Sequence, residues 1–149
     1  MNMSDKGIAW LRVLEGCELT VYLDSVGIPT VGVGHVCRDL KVGTKITQEQ
    51  ADKFLVEDLE IVDNALANIP LEQQMYDALA AFVFNVGVTA FKKSTLRKYL
   101  SEKKYAEASD ELLKWCKGTD PKTGEKITLN GLKNRREKEK KVFDEGLYS

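Results

Sequence analysis

Apolar positions along the chain change their period several times, and each change marks an element. Ile8, Leu11 and Leu14 recur at helical spacing behind Ser4 or Asp5 as a cap, and the pattern stops at Gly16, a residue suited to the left-handed conformation that ends a helix. Leu19, Val21 and Leu23 then alternate with Thr20, Tyr22 and Asp24, the period of a strand half-covered by a core. A turn over Asp24 to Pro29 follows. Thr30 to Gly34 reads as the returning strand, with Gly32 and Gly34 permitting close approach to its backbone. Thr30 is expected across this hairpin from Asp24. Val36 to Lys45 is irregular, with a turn at Gly43 and space for a short third strand.

From Thr47 the period is helical. Thr47 and Gln50 form a capping box, and Ala51, Phe54, Leu55, Leu59, Val62 and Leu66 share one face of a long helix reaching as far as Asn68. Beyond Pro70, residues 71–86 are apolar nearly all round, the signature of a buried central helix, which Asn85 and Gly87 break. Two further helices are predicted: one over Phe91 to Ser101 with Ser94 as N-cap, and one over Tyr105 to Cys116. Gly118 to Gly124 is a turn-rich loop, and a charged helix over Asn130 to Glu145 carries Leu132, Val142 and Phe143 for docking. These elements make an α+β chain that is mostly α. Residues 1–149 are expected to form one domain: a lobe over about 1–46 with the β-hairpin, a linking helix over about 48–68, and a helical lobe over about 71–149.

Composition supports that picture. With 43% apolar and 30% charged residues, the chain belongs with globular proteins that bury a core without metal or disulfide staples. The net charge is −1, but it is uneven: residues 1–74 hold 6 Lys/Arg against 12 Asp/Glu, and residues 75–149 hold 16 against 11. A basic second half could attract an anionic envelope surface or nucleic acid, although a solvated helical surface is the simpler account and no nucleic-acid motif is present. Cys17, Cys37 and Cys116 have no metal-type spacing and read as thiols; a bridge between Cys17 and Cys37, which flank the hairpin, is a weaker alternative. The start of the chain lacks an apolar run of signal or membrane-span length, so it is expected to carry no export route of its own. His35 is the sole histidine, which argues against a zinc-dependent amidase and against Ser-His or Cys-His peptidases. No cofactor and no metal are expected.

The chemistry concentrates between Glu15 and Thr30. Glu15, at a helix end beside apolar neighbours, is expected to be partly desolvated and able to donate a proton, while Asp24 in a polar turn stays ionised. Two carboxyls in unlike surroundings are what glycoside cleavage requires, and Thr30 can help hold a water. On these residues alone, two ordinary surface carboxylates remain the plainer account.

The run Glu15-Gly16 through Leu19, Tyr22, Asp24, Gly27, Thr30, Gly32 and Gly34-His35 resembles, at every specified position, the catalytic motif of the phage-type lysozymes of glycoside hydrolase family 24. Phe82 to Gly87 with Phe91 and Ser94 to Leu96, and Gly131 to Glu137, resemble the family's later recurring stretches. The resemblance implies a lysozyme-like two-lobed fold and cleavage of the β-1,4 bond between N-acetylmuramic acid and N-acetylglucosamine in bacterial peptidoglycan. Glu15 would be the general acid, and Asp24 with Thr30 would direct the water. Inversion follows if the carboxyls stand on the order of 6.5–9.5 Å apart. Val36, Phe84 and Ser94 would line the sugar cleft, and Asn85 is placed to face substrate; loop, core and helix-cap roles are the plainer readings of Val36, Phe84 and Ser94. The resemblance also implies a monomer that accumulates in the host cytoplasm and reaches the wall through lesions made by a holin, a separate protein. Some members carry an N-terminal signal-anchor, from which this sequence departs. A lytic transglycosylase and an inactive wall-binding protein are the alternatives.

Overall fold

The computed structural model describes residues 1–24 and 26–148. In chain order the elements are α1 (Asp5–Glu15), β1 (Glu18–Leu23), β2 (Pro29–Gly32), β3 (His35–Val36), α2 (Gln48–Leu66), α3 (Gln73–Val86), α4 (Val88–Lys92), α5 (Thr95–Ser101), α6 (Tyr105–Leu112), β4 (Lys117–Thr119), β5 (Lys126–Thr128) and α7 (Asn130–Glu145). The fold is α+β and mostly helical.

Local sequence sets the helix ends. Ser4 caps α1 by accepting from the Gly7 backbone N–H, and Gly16 closes it at φ 71°. Thr47 and Gln50 form the full capping box at the start of α2. That helix ends at Leu66, just before the left-handed Asn68 at φ 68°.

β1, β2 and β3 form an antiparallel sheet in that order, and β4 pairs with β5 in a second, two-stranded sheet. The expected half-covered β1 is only partly realised. Val21 is buried, but Leu19 and Leu23 are exposed. A register shift between Glu18 and Tyr22 breaks the alternation, and the core under this sheet is small: Val21, Val31 and Cys37, with Leu40, Ile46 and Phe54 packed beside them. Thr30 pairs with Tyr22, not with Asp24, because Leu23 opposite Pro29 ends the ladder and leaves Asp24 beyond it. Of the turn expected over Asp24 to Pro29, Ser25 lies outside the described residues. The turn-rich segment after Gly118 is the β4–β5 hairpin, and the interval before Ser94 holds the short α4.

The large core is built on α3, whose residues Tyr76 to Val83 are all buried; α3 packs against α7, α2 and α1. Trp10 and Leu11 of α1 belong to this cluster and not to the sheet's. Cys37 is buried and Cys17 exposed, and both are free thiols.

Candidate active site

Glu15 is the last residue of α1, so its side chain leaves the helix where the chain turns into β1. It is 15% exposed and forms an ion pair with Arg135 of α7 through Arg135 Nη1. The surround is therefore a cation, where an apolar one was expected. Arg135 is itself fixed on its other two nitrogens: Nη2 donates to the Ala81 carbonyl at 2.9 Å and Nε to Glu139 at 3.1 Å. On its remaining side Glu15 abuts Gly34, where a Cβ would stand 2.7 Å from Glu15 Oε1 and 3.4 Å from Phe84 Cε1. Gly34 is a glycine for that reason and for its φ of +63°.

The partners of this contact line two cavities, Gly34 one and Glu15 the other. One, of about 220 Å³, is lined by Gly34, Val36, Asp58, Ile61, Phe84, Val88 and their neighbours. The other, of about 430 Å³, is lined by Glu15 itself with Gly16, Glu18, Thr20, Val21 and Tyr22. Glu15 thus stands in the wall of the second cavity and, through its contact with Gly34, beside the wall of the first; the two together are termed the groove. Tyr22 borders that groove with its phenol held above its ordinary value, first by burial and then by the negative charges of Glu15, Glu18 and Asp24.

Asp24 is half-buried just past the end of β1, and its Oδ1 accepts from the backbone N–H groups of Val26 and Ile28, both at 2.9 Å. These bonds fix the carboxylate against its turn. The Thr30 hydroxyl donates to the Ile28 carbonyl at 2.9 Å, and the residue is 5% exposed. Val36 and Phe84 share the groove wall. Asn85 and Ser94 are elsewhere: Asn85 lines a separate cavity with Lys114, Trp115 and Lys126 and accepts from Arg136, and the Ser94 hydroxyl caps α5 by accepting from the Arg97 N–H at 3.0 Å.

The family model described as Phage lysozyme matches residues 12–139, which span every groove residue named above. The chain belongs to the phage lysozyme family. Among curated relatives, an endolysin of Acyrthosiphon pisum secondary endosymbiont phage 1 is 42% identical over 147 residues, 97% of this chain and 99% of that protein. The endolysin from Escherichia coli O157:H7 phage FAHEc1 superposes with a TM-score of 0.88 at 37% identity, covering 100% of this chain and 97% of that one. The muramidase domain of SpmX from Asticaccaulis excentricus does so at 0.82 and 31% identity, covering 95% and 97%. As a phage lysozyme the chain is a glycoside hydrolase.

Two further side chains, Arg135 and Asp58, belong to this lysozyme site. Arg135, within the Gly131 to Glu137 stretch that carries the resemblance, is paired with Glu15. Asp58 reads as one more charge on the polar face of α2, yet it lines the groove and its Oδ2 accepts from His35 Nδ1 at 2.8 Å, while the His35 ring stacks on Phe54 with centroids 4.1 Å apart. The lone histidine was the available signal for it. Among the described residues no group of His, Cys, Asp and Glu is arranged to hold a metal ion, and no helix is long and apolar enough to cross a membrane.

Proposed function

We propose that this phage lysozyme is an endolysin that hydrolyses the β-1,4 bond between N-acetylmuramic acid and N-acetylglucosamine in peptidoglycan, during phage-induced lysis of the host. The observation that carries the reading is Glu15, pinned between Arg135 and Gly34 in the wall of the groove. Glu15 gives its proton to the glycosidic oxygen as the C–O bond breaks. A water adds to the anomeric carbon and passes its proton to Asp24, with the Thr30 side of the turn shaping the place where that water sits. Arg135 supports the step by stabilising the charge that develops on Glu15 as the proton leaves, in a site already organised for it.

Val36 and Phe84 offer the sugar rings an apolar wall. Asn85 and Ser94, whose polar atoms serve Arg136 and the α5 cap, would contribute through the shape of the helical body. The chain works as a monomer of one domain, in which the sheet-bearing lobe and the helical lobe flank the groove and α2 joins them. It accumulates in the host cytoplasm and reaches the wall through holin lesions.

The test compares wild type with Glu15→Gln on purified peptidoglycan, with folding checked by circular dichroism. A folded variant that clears nothing supports the reading, and one that retains lysis removes it. The reaction products separate hydrolysis from a lytic transglycosylase: reducing muramic ends support hydrolysis, and anhydro ends overturn it.

A further inference from the structure

Glu139 is a carboxylate in the middle of α7 with no exposed surface. An isolated buried charge is costly, so its partners matter. Its Oε2 accepts from Arg135 Nε at 3.1 Å, and its Oε1 accepts from Arg136 Nη1. Arg136 is equally buried, donates Nε to the Trp115 carbonyl at 3.0 Å, and reaches Asn85 through Nη2. Glu15, Arg135, Glu139 and Arg136 therefore form a row of alternating charge that begins in the groove and ends inside the helical body. Three of its four members come from one helix.

Burial pushes the Glu139 carboxyl up and the Arg136 guanidinium down from their ordinary values, and each opposes the change in the other. Such a pair is poor at stabilising a fold by comparison with apolar side chains of the same volume, so a core containing one invites a question about what the charges do. Here they face the guanidinium that holds Glu15. We propose that Glu139 is a positioning residue for the reaction: it fixes the Arg135 fork against Glu15 and supplies the negative charge that keeps the two arginines from over-stabilising the Glu15 carboxylate. This rests on the reading of Glu15 as the acid.

The groups facing Glu15 are Arg135 from α7, with Arg136 and Glu139 behind it, and Tyr22 from β1; Gly34 and Phe84 complete the contact without charge. Removing the Glu139 charge leaves two cations and no internal anion beside Glu15. The carboxylate is then favoured, the protonated acid is less populated at a given pH, and the alkaline limb of kcat/KM moves to lower pH.

The experiment measures pH profiles of kcat/KM on soluble un-crosslinked peptidoglycan for wild type, Glu139→Gln, the charge-balanced Glu139→Gln/Arg136→Met, and Glu15→Gln. Glutamine keeps one acceptor for Arg135 Nε, removes the charge and turns an amide donor toward Arg136 Nη1, a donor–donor contact that Arg136→Met relieves. The expected result is an alkaline limb lower by about one pH unit in Glu139→Gln and a return toward wild type in the double variant. A folded Glu139→Gln with an unmoved limb overturns the proposal, since a purely structural Glu139 would change melting and not the limb. Should Glu139→Gln not fold, Glu139→Met/Arg136→Met, which is charge-balanced and offers Arg135 Nε no acceptor, decides: kcat lowered about tenfold at unchanged KM supports the proposal, and wild-type kcat overturns it. Lysis retained by Glu15→Gln would instead remove the acid assignment itself, whereas an inert Glu15→Gln beside an unmoved Glu139→Gln limb defeats only this inference.

Discussion

Glu15 occupies the space that a side chain at Gly34 would need: a Cβ there would lie 2.7 Å from Glu15 Oε1. Gly34→Ala must therefore move the carboxylate, or move the strand turn that carries residue 34, and it also strains a backbone at φ +63°. Because small misplacement of a catalytic group is costly, kcat should fall on the order of 100-fold, with about 1–3 kcal/mol lost in stability. Lysis kinetics and denaturant unfolding of the same preparation check both numbers. Near-wild-type kcat would show that Glu15 need not stand where it does.

Arg135→Gln takes the cation from between Glu15 and Glu139 and leaves two carboxylates near one another. Breaking such a mostly buried pair costs about 3–5 kcal/mol, read from denaturant midpoints. In the fraction that folds, the alkaline limb of kcat/KM should move to higher pH, opposite in sign to Glu139→Gln.

Gly7 offers a contrast far from the groove. A Cβ at Gly7 would stand 2.5 Å from Asp77 Cγ, and Asp77, fully buried, accepts from the Ser4 N–H and hydroxyl, Gln73 and the Tyr148 hydroxyl. Gly7→Ala should destabilise by about 2 kcal/mol or more through the disturbed buried network, with specific activity per folded molecule unchanged. Thermal unfolding followed by lysis at a permissive temperature tests it.

Alkaline stability should report on Tyr76 and Tyr148. Both phenols are raised well above 10.0, first by burial and then by their bonds to Asp63 and Asp77. A raised folded value means that the stabilisation is fully present below pH 10 and is lost as pH climbs toward the folded values, because the unfolded chain releases those protons first. Unfolding free energy measured from pH 9 to 12 should fall for wild type, and more gently for Tyr148→Phe. Equal slopes would contradict the assignment.

Much of this fold is legible in the residues, because caps and periods are local properties. Thr47 with Gln50, and Gly16, mark helix ends through bonds made within four residues, and α7 has the bounds that its sequence predicts. Leu19 and Leu23 misled because alternation gives a face but not the amount of core beneath it, and six side chains are too few to cover that sheet. The β4–β5 hairpin hides in a segment of lysine, threonine and glycine with hardly an apolar residue, where register comes from backbone pairing. The groove itself was partly legible: Glu15, Val36 and Phe84 line it, while Asp24 and Thr30 line neither of its cavities and bond within their own turn. Nothing local singles out Glu15 as the partner of Arg135, which lies 120 positions away, and the charged face of α7 conceals that Arg136 and Glu139 are inside the protein.

That separation of 120 positions has a consequence for synthesis. The ribosome makes Glu15 well before Arg135, so a nascent chain carries the Glu15 carboxylate long before it carries the guanidinium that pairs with it. The Glu15–Arg135 pair forms only when α7 has emerged and docked, and a prematurely terminated product holds the motif without that partner.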